Sequence, residues 1–233
     1  MIKVIDYNNL GGADHGWLKA KHHFSFASYQ DPNRVRFGPM RVINDDIVAP
    51  KKGFDPHAHD NMEIITYVRK GAITHKDDIG NEGRTEAGDV QVMSAGTGVV
   101  HSEYNLEDED TNLYQIWMFP NKKNVKPRWD AKKFPKEPVE GKLKPLVTGF
   151  ENNDTDSLKI YQDTVIYAGR VNKGKSVSQL IERDQAYVLC SQGKIKINDT
   201  EIKKGDGAEI TDLKDVNITS LEDSEILFID LPR

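Results

Sequence analysis

The chain has 233 residues, a formal charge of −5 at pH 7 and 30% charged residues of both signs. That length buries a proper core without disulfides or a structural metal, and no block of Lys and Arg is present to track a phosphate backbone, so direct nucleic-acid binding is not expected. No run approaches the roughly 20 apolar residues that cross a bilayer, MIKVIDYNNLGG lacks the apolar core of a signal peptide, and the single cysteine, Cys190, has no thiol partner; the expectation is a soluble, cytoplasmic protein without membrane contact.

In chain order, short segments rich in Val, Ile, Tyr and Phe recur between Gly, Asp and Asn: VRFGPMRVIN, EIITYVRKGAITH, GDVQVMSAG, LYQIWMFP, LKIYQDTVIYAGRV, QAYVLCSQGKIKIN, AEITDL and SEILFIDLP. Many short strands at this spacing predict a sandwich or barrel, and no stretch carries a long helical stripe. Between Pro120 and Pro145 the chain turns rich in Pro and Lys and poor in aliphatic residues, which reads as a connector or a short irregular layer between two packed units. The domain boundary is placed there.

The two halves share a rhythm. An apolar run ends at Gly71 in one and at Gly193 in the other; Gly88-Asp89 and Gly205-Asp206 then open a strand, and each half closes on an apolar strand ending in Pro, IWMFP and LFIDLP. A duplicated antiparallel unit accounts for these matches. All seven histidines lie at or before position 101, so only the first half can hold a His-based site.

His57 and His59, two apart in a strand, point to one face with Cα atoms about 6.6 Å apart. The same parity carried onward gives Asn61, Glu63, Ile65 and Tyr67, a run suited to a barrel interior. SAGTGVVHSEYN adds His101 and Glu103, again two apart. Three neutral imidazoles and a carboxylate suit Fe(II), Mn(II), Ni(II), Cu(II) or Zn(II) and disfavour Ca or Mg. Glu63 is read as a further ligand, as an acceptor supporting one, or as a structural partner, and His75 as a solvated strand residue. Because imidazoles must be neutral to bind metal, ordinary histidines predict metal loss as pH falls through about 6 to 5.

GFDPHAHDNME followed by Gly71 resembles the first cupin motif, and GDVQVMSAGTGVVHSE the second. With GWLKAKHHFSFASYQDPNRVRFGPMRVINDD, the sequence resembles the pirin family, specifically bacterial pirin-like proteins of the quercetin 2,3-dioxygenase type. The likeness is strongest from Gly16 to Pro120. It departs from the general cupin pattern in its short Gly53–His57 spacing and in using Glu103, rather than the glutamate of the first motif, as fourth ligand.

The resemblance implies an all-β bicupin: two tandem jelly-roll β-barrels with few short helices, residues 1–134 binding metal and 135–233 a degenerate copy without histidine ligands. It further implies His57, His59, His101 and Glu103 as ligands of one divalent transition metal, Fe(II) first, with Mn, Ni, Cu, Co or Zn compatible. The implied reaction is ring-opening of a flavonol by dioxygen with release of carbon monoxide, Glu103 acting as both ligand and catalytic base. Ile65, Met93, Ile116 and Trp117 are the expected lining of an aromatic substrate pocket. The alternatives are a metal-dependent binding or regulatory protein with a protein partner, and an oxygenase acting on another small molecule.

Overall fold

The computed structural model describes residues 1–233. Its regular secondary structure is almost wholly strand, the one helical element being a 3-10 turn at Tyr7–Asn9 capped by the Asp6 carboxylate. The chain divides into two compact units, one of Gly11–Pro135 with Leu158–Gln162, the other of Met1–Leu10, Lys136–Ser157 and Asp163–Arg233. The division expected at 134/135 therefore needs amending at both ends. Ile2–Ile5 belongs with the second unit because it completes an antiparallel ladder with Gly207–Thr211, and the Tyr7 N–H donates to the Asp206 carboxylate at 2.9 Å. Leu158–Gln162 belongs with the first, where the Tyr161 N–H donates to Glu63 and Arg128 donates to the Lys159 carbonyl. Backbone pairing assigns Ile2–Ile5, and side-chain partners assign Leu158–Gln162.

In the first unit one antiparallel sheet runs in the order Arg128–Lys132, Val90–Ser94, Glu63–Lys70, Thr111–Met118, Met40–Val48, Leu18–His22 and Gly11–Asp14. A second sheet runs Lys52–His59, Val99–Asn105, Ala72–Asp77 and Glu82–Glu86. The second unit repeats the plan. Its larger sheet orders Ile2–Ile5, Gly207–Thr211, Gln185–Gln192, Ser224–Leu231, Val165–Val171 and Lys144–Gly149, and its smaller one Ser176–Leu180, Asp215–Ser220, Lys194–Ile197 and Thr200–Lys203. Each unit is thus a two-sheet β-barrel of the cupin type, and the expected bicupin is the fold observed.

The repeat holds hydrogen bond by hydrogen bond. Gly88 N–H donates to the Val68 carbonyl as Gly205 donates to Cys190, and Ala87 donates to Gly71 as Lys204 donates to Gly193. Gly71 and Gly193 have φ of 73° and 75°, a left-handed turn that excludes a Cβ on conformational grounds. A side chain there would also strike Thr111 Oγ1 in one unit and Ser224 Oγ in the other, each 2.6 Å from the added atom. Those two hydroxyls do the same job, donating to the carbonyls of Ala72 and Lys194. The sequence rhythm therefore reports a shared turn mechanism.

Two expectations change. The segment from 121 to 144 is not only a connector, since Arg128–Lys132 pairs along Val90–Ser94 as an edge strand. And the parity of His57 and His59 does not continue to Tyr67. The chain turns at Asn61, with φ of 42°, its N–H bonded to the Gly96 carbonyl, so Lys52–His59 and Glu63–Lys70 lie in different sheets.

Candidate metal centre

In the larger sheet of the first unit, residues directly opposite across an antiparallel ladder share a face. The register Thr66↔Gln91, Thr66↔Gln115, Ile64↔Met93 and Ile64↔Trp117 puts these side chains together, with Ile65, Val92 and Ile116 on the reverse. Ile64, Met93, Ala95 and Val99 pack with Met62, Trp117 and Trp129. Of the four expected lining residues, Met93 and Trp117 share the face that carries the histidine neighbours. Ile65 and Ile116 are buried on the opposite face, a correction that follows for Ile65 from the turn at Asn61 and for Ile116 from its pairing with Ile65.

The smaller sheet supplies the imidazoles. His101 is paired directly with His57, and Val99 with His59, and the ladder is irregular between His101 and Glu103, where His57 and Phe54 are the successive partners. A bulge of this kind re-aims side chains. Ring centroids lie 4.8 Å apart for His57 and His59, 4.5 Å for His57 and His101, and 5.1 Å for His59 and His101. The rings of Trp117 and His59 pack near-perpendicular with centroids 4.9 Å apart.

The possible ligand atoms form two groups of three that share His101. One is His57, His59 and His101; the other is His75, His101 and Glu103, and within each group all ligand atoms lie within 4.8 Å of one another. Glu103 thus clusters with His101 and with a histidine that sequence reading left in solvent. His75 is fully buried, bonded to Asp77 at 3.0 Å and stacked on Trp129 with centroids 5.0 Å apart and planes 9° from parallel. Burial explains what spacing did not: His75 is paired across the ladder with Gly83, and the Trp129 ring occupies the space over that glycine.

Glu103 is almost fully buried among neutral amides and a hydroxyl. Gln91 Nε2 donates to one carboxylate oxygen at 2.7 Å and Thr66 Oγ1 at 3.4 Å, while Gln115 donates to the other oxygen and accepts from Trp117 Nε1 at 2.9 Å. Burial lifts the Glu103 carboxyl to about 7, against the opposing pull of the hydrogen bonds from Gln115, Thr66 and Gln91. Burial lowers His59 to about 4 and His101 to about 3, with repulsion from neighbouring imidazoles adding to it. Both rings are neutral at pH 7, the form that ligates metal.

The donor atoms fit a transition metal. His57 Nδ1 is held 2.7 Å from the Asp55 carbonyl, an acceptor, which leaves Nε2 with the lone pair; the Nε2 atoms of His59 and His101 are buried without any partner. Glu63 does not join them. It lies on the reverse face, where its Oε2 accepts from Ser94 Oγ at 2.7 Å and from the Tyr161 N–H, and burial lifts it to about 7.

The family model described as Pirin matches residues 4–118, and that of the quercetinase C-terminal cupin domain matches 148–231. A pirin-like protein of Caulobacter vibrioides is 49% identical over 231 residues, 99% of each chain. The chain belongs to the pirin family. Among other pirins, a quercetin 2,3-dioxygenase of Escherichia coli K12 is 41% identical over 100% of this chain and 99% of its own. The crystal structure of the bacterial pirin YhhW from Escherichia coli in complex with nickel(II) superposes with a TM-score of 0.92 at 37% identity, covering 100% of this chain and 99% of that one.

The pirin repeat also shows what the second barrel carries at the positions of the site. With the turn hydrogen bonds as the frame, Thr66, Gln91 and Gln115 correspond to Val188, Ala208 and Phe228, a set with the same mutual register. Glu103 and His75 correspond to Ile218 and Ile197, His101 to Val216, and His57 and His59 to Gln179 and Ile181. All but Gln179 pack in one apolar core.

Proposed function

We propose that this pirin is a metal-dependent oxygenase that opens the ring of a flavonol such as quercetin with dioxygen and releases carbon monoxide. His57, His59, His101 and Glu103 hold one divalent transition metal, Fe(II) in the working enzyme. The observation that carries the reading is the convergence of three imidazoles, two of them with a buried Nε2 that has no protein partner, beside a buried carboxyl that shares His101 as a neighbour. The name of the Escherichia coli relative supports the substrate class.

When bound, the metal supplies Lewis acidity that stabilises the anion of a substrate hydroxyl. Glu103 accepts the 3-hydroxyl proton. Burial raises the proton affinity of this carboxyl above that of an ordinary glutamate, which makes it the stronger base when a carboxylate oxygen leaves the metal to take the proton. Gln91 and Gln115 bracket the carboxylate and keep it oriented. Trp117, Met93 and Ile64 present an apolar wall to flat aromatic rings. The buried lone thiol Cys190 suits the reducing cytoplasm in which we place the protein.

The test is anaerobic loading of apo-protein with Fe(II), and in parallel with Ni(II) and Mn(II), followed by quercetin and dioxygen. Wild type is expected to bind one metal per chain, consume dioxygen and release carbon monoxide, and the variant His57→Ala/His101→Ala to do none of these. Metal binding without carbon monoxide would refute the flavonol reaction, and equal metal content in the variant would refute the site.

A further inference from the structure

We propose that His75 and Asp77 form a positioning pair that fixes His101 in the tautomer whose Nε2 carries the lone pair, so that this ring is set for ligation before any metal arrives. The inference rests on the metal centre proposed above. It extends that centre to residues that touch no metal.

The logic runs outward from Asp77. Its side chain is fully buried, with Oδ1 accepting from the backbone N–H groups of Ile79 at 3.2 Å and Asn81 at 2.8 Å, and Oδ2 accepting from Asn81 Nδ2 at 2.9 Å. A carboxylate in that cradle only accepts, so the contact of 3.0 Å between Oδ2 and His75 Nε2 requires the proton to be on Nε2. A neutral His75 then has its lone pair on Nδ1. That atom lies 3.3 Å from His101 Nδ1, so His101 is the donor and carries its proton on Nδ1. Its Nε2, buried and without a partner, is left with the lone pair. Stacking on Trp129 fixes the plane of the His75 ring, and the Trp129 ring in turn rests over Gly83. His57 reaches the same tautomer through a backbone carbonyl, so His101 is the ring that uses a side-chain relay.

Asp77→Asn inverts the relay without changing its shape. The two backbone N–H groups keep the amide oxygen at the Oδ1 position, which turns the NH2 toward His75 and toward the Asn81 amide; Asn81 donates to Oδ2 in the wild type and flips to present its oxygen in the variant. His75 Nε2 must then accept, its Nδ1 becomes the donor, and His101 is driven to the Nε2–H tautomer that cannot ligate.

The experiment reads imidazole protonation in full-length, metal-free protein by two-bond 1H–15N correlation NMR, with Ni(II) affinity measured by calorimetry. Wild type is expected to show His75 as the Nε2–H tautomer and His101 as Nδ1–H; Asp77→Asn is expected to invert both and weaken Ni(II) binding roughly ten- to a hundred-fold. His101 protonated on Nε2 in the wild type, or doubly protonated His75, would overturn the proposal without need of the variant. So would Asp77→Asn with inverted tautomers and unchanged Ni(II) affinity. Absence of Ni(II) and Fe(II) binding by the wild type would instead refute the metal centre, while the NMR result still decides whether the pair sets His101.

Discussion

Glu63→Gln separates a residue of the scaffold from a residue of the site. Glu63 is fully buried, with one carboxylate oxygen bonded to Ser94 and the Tyr161 N–H and the other without a partner. Its folded-state value of about 7 lies above the ordinary 4.5, so the folded protein holds this proton more tightly than the unfolded chain. Below about 4.5 both states are protonated and no stability is lost; as pH rises through about 7 the folded anion carries its full desolvation cost. The rise from 4.5 to about 7, at roughly 1.36 kcal/mol per pH unit, amounts to about 3 kcal/mol lost across that window. Glutamine keeps the accepting oxygen and cannot ionise. Urea unfolding followed by circular dichroism is therefore expected to find the variant about 3 kcal/mol more stable than wild type near pH 8 and equal to it near pH 4. At roughly 2–4 °C per kcal/mol the gain in Tm near pH 8 is about 6–12 °C. Metal content is expected to be unchanged. A stability difference that does not vary with pH, or loss of metal, would refute both the cause assigned to the shift and the placement of Glu63 on the reverse face.

Acid release of metal is governed by Glu103 before the buried rings: with Glu103 at about 7, His59 at about 4 and His101 at about 3 in the metal-free protein, Ni(II) affinity measured by calorimetry is expected to weaken between pH 7 and 5 as the carboxyl protonates, and an affinity that stays flat over that range would refute Glu103 as a ligand. The same depressed values mean that these two histidines each take stability from the metal-free protein as pH drops below 6.5, while Glu63 and Glu103, both at about 7, return it between about 7 and 4.5, so Glu63→Gln should lose stability more steeply than wild type as pH falls through that window. Gln115→Leu removes a donor to Glu103 and the acceptor of Trp117 Nε1; it should cost about 1–3 kcal/mol for each group orphaned and move the alkaline-rising limb of the rate profile to higher pH, and an unmoved limb would refute the bracketing role. Arg69 is paired with Asp45 at 2.7 Å with both side chains buried, and its guanidinium sits 4.4 Å from the centroid of the Tyr114 ring. Arg69→Met is expected to destabilise by about 3–5 kcal/mol in urea, and a loss under about 1 kcal/mol would show that Asp45 finds compensation elsewhere.

The imidazole pair His57 and His59, the second pair His101 and Glu103, and the glycine turns were legible because each is local: side-chain period within a strand, or a backbone angle at one residue. What depended on the partner strand was not. The face assigned to Ile65 and Glu63 was read through the turn at Asn61 as though the strand continued, and a change of sheet there reverses which residues look inward. His75 and Trp129 meet only because Arg128–Lys132 pairs with Val90–Ser94, a contact invisible in a stretch whose Pro and Lys content reads as connector. Gln91 and Gln115 did leave a trace. Each is a polar side chain inside an apolar strand, GDVQVM and LYQIWM, and a buried polar residue demands a partner.

Glu103, Thr66, Gln91 and Gln115 are polar together, and their counterparts Ile218, Val188, Ala208 and Phe228 are apolar together. Mixed states are penalised from either side, since one polar group among apolar neighbours, or one apolar group among these hydrogen bonds, leaves an orphan costing about 1–3 kcal/mol. A barrel interior of this kind behaves as a switch with two settings rather than a dial. Transplanting chemistry into the second barrel, or erasing it from the first, is then a matter of exchanging a whole layer at once, and libraries of single substitutions will record a barrier where a block exchange finds a route.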